Sequence, residues 1–252
     1  MTCATIRARM LGSSLAGLSG LVLAACSPSL PAASPASTSA PQISATSVAV
    51  SSPSTPATGE PTTTNTLPPP PPPSGPAPTT AGSLTAKSLP IPAGWETAVL
   101  EGSDEEGFEG NGTWVHARDP RYAAQDVITL GCATVTRDDY TDPVAALEGN
   151  YHNQSGDRGI GLVLEFDDEL AATHYFELYR RQVQSCTTRN EPVRTRILSG
   201  LSGLVDRRTY PDSTWTEITE RNGRRITMII LSDPGHAISK DSAQRILDQI
   251  KG

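Results

Sequence analysis

The chain has 252 residues, of which 20 are Lys or Arg and 27 are Asp or Glu, so its formal net charge at pH 7 is −7. Before Leu89 the charged residues are Arg7, Arg9, Glu60 and Lys87, which leaves 17 basic and 26 acidic residues and a net charge of −9 in the remainder. A segment this acidic is repelled by nucleic acid and by anionic lipid head groups, so neither is expected as its partner.

Residues 1–25 have the three parts of a secretory signal. Arg7 and Arg9 form the positive end, and an uncharged stretch rich in Leu, Ala, Gly and Ser follows. It closes on Leu23-Ala24-Ala25-Cys26, which resembles the lipobox of bacterial lipoproteins. The resemblance implies that diacylglycerol is attached to the Cys26 sulfur and that the signal is cut off before this residue. The chain is then expected on the extracytoplasmic face of the cell membrane, held there by lipid.

Two other interpretations of the N-terminus stay open at this point. One is an ordinary secretory signal, and the other is a membrane helix with an incidental cysteine at position 26. The apolar stretch is shorter than the roughly twenty residues that a membrane-spanning helix needs, and Pro28 follows it closely. The pattern therefore favours the lipoprotein interpretation.

A polar tether is predicted over residues 26–88. Beyond Cys26 it consists almost wholly of Ser, Thr, Pro, Ala and Gly and contains six consecutive prolines at 68–73. Such a segment has too few apolar side chains to offset the entropy of ordering, so we expect disorder, with a polyproline II rod at the proline run. A passive spacer is favoured over an SH3-type ligand or a glycosylated stalk, both of which remain alternatives.

Residues 89–252 are predicted to form a single α+β domain, an antiparallel sheet packed by helices on one face. The strongest local signal is Asn222-Gly223 between two apolar runs, which predicts a β-hairpin. Strands are expected at 97–101, 112–117, 126–136, 159–166, 203–210, 214–220 and 224–231, and helices at 143–153, 169–186 and 240–250. Within the second helix, Asp168 is the expected N-terminal cap.

Cys132 and Cys186 remain once Cys3 in the signal and Cys26 are set aside. Cys132 alternates with apolar residues on the predicted strand 126–136, and Cys186 lies on the apolar face of the predicted helix. Because both thiols point inward in an exported protein, a disulfide is favoured over two free thiols. A redox pair lacks the C-x-x-C spacing that would support it.

Motifs that carry common catalytic or metal chemistry are missing from the sequence. The histidines at 116, 152, 174 and 236 form no H-x-x-x-H or H-E-x-x-H set, and no serine lies in G-x-S-x-G. Acidic clusters at 104–106, 138–139 and 167–169 lack calcium-loop spacing and are expected to be solvated loops or helix starts. His152 is expected at a helix end and His174 at the edge of a packed helix face. We predict no catalytic residue, no metal and no cofactor.

Two stretches of the domain resemble known families. Leu89-Pro90-Ile91-Pro92-Ala93-Gly94-Trp95 is similar to the start of the LpqN-type mycobacterial lipoproteins, which share the Mog1/PsbP-like α/β sandwich. Residues 171–187 look like part of the sensor-like domain of PknH-type kinases, where a helix with an aromatic pair, here Tyr175-Phe176, ends in a disulfide-bonded cysteine. That family commonly carries two disulfides, and this chain has cysteines for one. Both resemblances imply an antiparallel sheet with flanking helices and a ligand groove, in an actinobacterial secreted lipoprotein.

The leading functional hypothesis from the sequence is a non-catalytic cell-envelope lipoprotein whose domain binds a small ligand or a protein partner. A scaffold or assembly factor for envelope proteins is the second hypothesis. A cell-wall-modifying enzyme is the third, and it would require His152 or His174 near a carboxylate and a nucleophile.

Overall fold

The computed structural model describes residues 67–103, 108–187, 193–198, 201 and 203–251. The predicted signal, the lipid attachment site at Cys26 and the first part of the tether lie outside this set, as does the acidic cluster at 104–106. Within the described ranges, no helix combines the length and the apolar character needed to cross a membrane.

The described part of the chain forms one antiparallel sheet of eight strands. The strand order is β1-β3-β4-β8-β7-β6-β5, and β2 shares with β1 the outer side of β3. This architecture confirms the predicted fold class. The strands are β1 Trp95–Thr97, β2 Val115–Arg118, β3 Ala145–Asn153, β4 Arg158–Glu165, β5 Arg194–Ile197, β6 Leu204–Thr209, β7 Thr214–Asn222 and β8 Arg225–Ser232.

Three α-helices flank the sheet in the described residues: α1 Pro120–Ile128, α2 Glu169–Cys186 and α3 Lys240–Lys251. The predictions for α2 and α3 are confirmed. As expected, the Asp168 side chain caps α2 and accepts a hydrogen bond of 2.8 Å from the Ala171 N–H. The Asn222-Gly223 turn between β7 and β8 is also confirmed, with Gly223 at a φ of 56°, where a β-carbon would be strained.

The helices cover both faces of the sheet, so the expectation of helices on one face is wrong. α1 and α2 pack on the face that carries Leu164 and Met228. α3 packs on the opposite face, against Ile218 and Ile229. Successive residues of a strand point to opposite faces, and apolar residues occupy both faces of β7 and β8, so each face requires a cover.

Two predicted elements have the wrong type. Residues 126–136 are the end of α1 and a loop, because Asp119 caps α1, Pro120 occupies its first turn and Ala124 and Ile128 bury one helical face. Residues 143–153, predicted as a helix, contain β3 instead. The first seven positions of β3 are all buried, since both faces of this strand are covered, and a fully buried strand lacks the alternation that distinguishes a strand from a helix.

Packed structure begins before Leu89, the boundary that composition suggested. Leu84 is 0% exposed and Leu89 is buried beside it, and both contact a sheet-face cluster that includes Leu147 and Val163. The proline run itself lies along α1. There the Leu67 N–H donates to the Gln125 side chain at 2.7 Å. A few well-placed apolar side chains are enough to hold this segment on the sheet, although its average composition is polar.

The predicted disulfide between Cys132 and Cys186 is present, with a Cα–Cα distance of 5.2 Å. Cys132 lies in the loop after α1 rather than on a strand. Gln182 of α2 fixes the same loop, since its amide accepts from the Ala133 N–H at 3.2 Å and donates to the Ala133 carbonyl at 3.0 Å. The loop is therefore bound to the last turns of α2 by a covalent bond and by two hydrogen bonds.

Candidate sheet-face binding groove

The face of the sheet that α1 and α2 cover also carries a groove, at the end of the sheet away from the start of α2. The strand register places Arg208 of β6 opposite Trp215 of β7. Glu217 of β7 lies opposite Ile230 of β8, and Ile230 lies opposite Ile160 of β4. Trp215 and Glu217 are two residues apart on β7, so all five side chains belong to one face. We call this cavity of about 350 Å³ the sheet groove; Tyr210 completes its principal lining.

The walls of the sheet groove are apolar and aromatic. Ile160, Ile230, Tyr210 and Trp215 are each partly exposed, so the groove opens to solvent along its length. The indole N–H of Trp215 donates to the Ser213 hydroxyl at 3.3 Å, which fixes the plane of the ring. Among the described side chains, no aromatic ring or cation stacks on Trp215.

Arg208 provides the positive charge of the groove and is 8% exposed. Its Nε donates to Asp206 Oδ2 at 3.1 Å, and its Nη2 lies 2.6 Å from the Tyr179 hydroxyl and 2.8 Å from Glu217 Oε1. Within the described part of the chain, these contacts leave Nη1 without a hydrogen bond. The guanidinium is therefore held rigidly by α2, β6 and β7 while one of its donor groups stays available.

The two carboxyl groups beside Arg208 are buried. Burial raises the pKa of Glu217 to about 8 and also raises the pKa of Asp206, an effect that the nearby Arg208 partly opposes. Asp206 Oδ1 is buried and has no hydrogen-bond partner among the described residues. A carboxyl group that holds its proton near neutral pH can donate as well as accept a hydrogen bond. Glu217, the one of these two carboxyl groups that lines the groove, can thus offer both a donor and an acceptor at its polar end.

The histidines do not form a catalytic set. His152 lies on β3 rather than at a helix end, and His174 is exposed on α2. In the described residues, neither forms a hydrogen bond or ion pair with a carboxylate. His116 is buried in a stack on Phe108, with ring centroids 3.9 Å apart, and its Nε2 is 3.8 Å from the carboxylate of Glu148.

The described acidic clusters have the structural roles expected of them. Asp139 accepts a hydrogen bond of 2.6 Å from the Thr136 N–H in a single 3₁₀ turn, and Asp168 begins α2. In the described ranges, no group of three or more His, Cys, Asp or Glu side chains is arranged to hold a metal ion.

The sequence motifs do not single out Arg208, Tyr210, Trp215 or Glu217. The available signal is the pattern Trp215-x-Glu217-x-Thr219, in which a charged residue shares a strand face with an aromatic one. The sequence cannot show which stretch of that face a helix covers, so it could not separate a buried structural carboxylate from one that lines an open groove.

The sequence matches no protein-family model. It also has no match among curated proteins. The fold is weakly similar to the crystal structure of the extracellular domain of PknH from Mycobacterium tuberculosis, with a TM-score of 0.32 and 10% sequence identity over 62% of this chain and 81% of that one.

Proposed function

We propose that this chain is a lipid-anchored protein of the extracytoplasmic face of the cell membrane, and that its folded domain binds a ligand in the sheet groove. The observation that carries the proposal is the placement of a buried Arg208–Glu217 pair at the edge of an open, aromatic-walled groove. Burying a charged guanidinium and a carboxyl group costs desolvation free energy that apolar packing would avoid. Convergent polar groups within an apolar cleft are typical of ligand sites.

The cysteines support the anchored, exported part of the proposal. Disulfides persist in oxidising compartments and are rare in the bacterial cytosol, so the Cys132–Cys186 bond fits an exported domain. The lipobox-like sequence that ends in Cys26 provides the attachment point. Two acyl chains hold a protein on a bilayer durably, whereas one holds it only marginally.

A cysteine substitution tests the anchor. Cys26→Ser should abolish metabolic labelling with a lipid precursor and move the protein out of the membrane fraction, because only a thiol can form the thioether. Cys3→Ser is the matched control: it lies in the predicted signal and should leave labelling and fractionation unchanged. A Cys26→Ser protein that stays in the membrane and still carries lipid would refute Cys26 as the attachment site.

Thermal unfolding of the lipidated, full-length protein in nanodiscs tests ligand binding. Fractionated envelope extracts should contain material that raises the Tm of the wild type, because a ligand that binds the folded state alone stabilises it. The increase should be absent in Trp215→Ala and retained in Arg245→Ala, an exposed position on α3. If no fraction raises the Tm, or if both variants respond like the wild type, the groove is not a binding site.

A protein partner is the second candidate, supported by two exposed apolar side chains. Leu170 at the start of α2 is 77% exposed, and Val144, just before β3, is 53% exposed. A photoreactive amino acid at position 170 should form a discrete cross-linked product in intact cells, and the same residue at position 245 should not. Cross-linking of equal intensity at both positions would argue against a defined partner surface.

A further inference from the structure

We infer that the sheet groove recognises a neutral glycan, that is, sugar rings bearing hydroxyl groups without ionised substituents. The inference rests on the proposed function, since it requires that the groove bind a ligand, and it adds the chemical class of that ligand. Four features of the groove lead to this class: its aromatic face, its hydrogen-bonding groups, its charge balance and its shape.

The aromatic face comes from Trp215 and Tyr210. Trp215 is partly exposed, its plane is fixed by the bond to Ser213, and no described aromatic ring or cation stacks on it. The C–H groups on one side of a pyranose ring form an apolar patch that packs against such a ring. The quadrupole of the indole, negative on its face, favours contact with these weakly positive hydrogens. A fixed, exposed ring needs little ordering when the ligand arrives.

The hydrogen-bonding groups match hydroxyls. A hydroxyl both donates and accepts, so it is best met by a site that presents both kinds of partner. Arg208 keeps Nη1 as an available donor, and the Ser213 hydroxyl and the Asp212 carboxylate, which line the same cavity, supply acceptors. Glu217 lines the same cavity beside Arg208. A purely apolar ligand would leave these groups desolvated and unpaired.

The charge balance disfavours ionic ligands of either sign. Arg208 forms an ion pair with Asp206, so its charge is compensated even while Glu217 holds its proton. Exposed Asp212 adds a negative charge at the rim, and the domain as a whole is acidic, which opposes an anion. A cation would have to approach Arg208 itself. The ligand that meets the least electrostatic opposition is neutral.

The shape of the groove separates a sugar from an acyl chain. At about 350 Å³ it lies near the lower limit of the roughly 300–1,000 Å³ found for small-ligand sites, enough for about one or two sugar rings. Ile160, Ile230, Tyr210 and Trp215 all remain partly exposed, so the groove does not enclose a chain of methylene groups. An acyl chain bound there would keep much of its surface in water, whereas a sugar keeps its outward hydroxyls solvated.

The experiment uses the full-length, lipidated protein in zwitterionic nanodiscs. It is titrated with soluble neutral oligosaccharides of glucose, mannose, galactose, arabinose and N-acetylglucosamine, followed by calorimetry and by tryptophan emission. Parallel arms use uronic acid oligosaccharides, a short-chain lysophospholipid below its micelle concentration, and spermidine. At least one neutral oligosaccharide should bind saturably and shift the emission, and the other arms should bind at least tenfold more weakly.

Two variants locate the binding. Trp215→Ala should weaken the neutral oligosaccharide at least tenfold, while Trp215→Phe, which keeps an aromatic face, should recover most of the affinity. Arg245→Ala should bind like the wild type. Unchanged circular dichroism and Tm in the absence of sugar show that Trp215→Ala is folded; if it is not, Tyr210→Ala replaces it in the same comparison.

The outcomes separate this inference from the function beneath it. Saturable binding of the uronic acid, lysophospholipid or spermidine, lost in Trp215→Ala, would overturn the glycan and keep the groove as a ligand site. The glycan would also be overturned, with the groove kept as a ligand site, if no neutral oligosaccharide binds but an envelope fraction raises the Tm only when Trp215 is intact. If neither extract nor probe depends on Trp215, both the glycan and the binding function are wrong.

Discussion

Single buried ionisable residues give this domain two opposing responses to pH. His116 is held neutral, because burial and then the nearby Arg118 lower its pKa to about 4. Glu217 is held protonated over much of the acidic and neutral range, because burial raises its pKa to about 8. Between about pH 4 and 6.5 the folded state binds fewer protons than the unfolded state at His116; between about pH 4.5 and 8 it binds more at Glu217.

His116 should therefore make the protein less stable in acid. The free energy of unfolding that neutral His116 contributes is complete above pH 6.5 and is lost as the pH falls towards 4. Between pH 7.5 and pH 5 this loss is about 2 kcal/mol. Urea unfolding at these two pH values measures the loss of unfolding free energy in acid. In His116→Gln this loss should be smaller than in the wild type by the same amount. Parallel curves for the two proteins would mean that His116 is not held neutral.

Glu217 should act in the opposite direction. The buried site favours the protonated form of Glu217. The stabilisation of the folded state that this form provides is present below pH 4.5 and is lost as the pH rises through 8. Compared with the wild type, Glu217→Gln should gain stability steadily between pH 5 and pH 8, as measured by urea unfolding at fixed ionic strength. Glu177→Gln, an exposed change on α2, is the control and should follow the wild type at every pH.

Among the helices and strands, the sequence correctly predicts those whose pattern of apolar residues and capping or turn residues matches their burial in the fold. α2 has a capping residue and one apolar face, and the β7–β8 hairpin has an Asn-Gly turn. The pattern of β3 predicts a helix because the strand is buried on both faces. The end of α1 and its loop read as a strand because Ile128, Leu130 and Cys132 alternate with other residues. The residues that line the groove cannot be predicted from the sequence, since their exposure depends on which part of the sheet face α2 leaves uncovered.

The link between the α1 loop and α2 should contribute measurably to stability. The Cys132–Cys186 bond closes a loop of 54 residues. Removing such a bond typically costs about 2–4 kcal/mol, chiefly because the unfolded chain gains freedom. The paired variant Cys132→Ala with Cys186→Ala should show that loss in urea unfolding. Dithiothreitol should lower the Tm of the wild type and leave that of the paired variant unchanged, and equal Tm values in all four conditions would refute a stabilising disulfide.

The segment before Leu89 should behave as part of the folded domain. Leu84 is fully buried against the sheet, so Leu84→Ala should lower the free energy of unfolding by about 2–4 kcal/mol. Ile91, which lies just after Leu89 and is 46% exposed, is the matched control, and Ile91→Ala should cost less than about 1 kcal/mol. Equal costs at the two positions would mean that the segment is not packed as described.

For the whole molecule, the same contacts set the smallest chain that folds well. A protein that begins at Leu67 retains the bonds of the proline segment to α1 and the buried Leu84, whereas one that begins at Leu89 loses both. The longer protein should give a sharp thermal transition, and the shorter one should unfold at a clearly lower temperature or aggregate. Differential scanning calorimetry of the two proteins makes the comparison. Identical transitions would restore Leu89 as the start of the domain.

The proline segment also protects one edge of the sheet from pairing with another copy of the protein. Pro78 accepts a hydrogen bond of 2.7 Å from the Ala117 N–H on the outer side of β2, and proline has no N–H with which to template a further strand. At the other margin of the sheet, β5 is four residues long and carries exposed Arg194 and Arg196. Short, charged or proline-covered margins resist sheet-to-sheet growth. Under the proposed lipid anchoring, copies concentrated at a membrane should therefore show little tendency to join edge to edge, so that each proposed groove would be occupied independently.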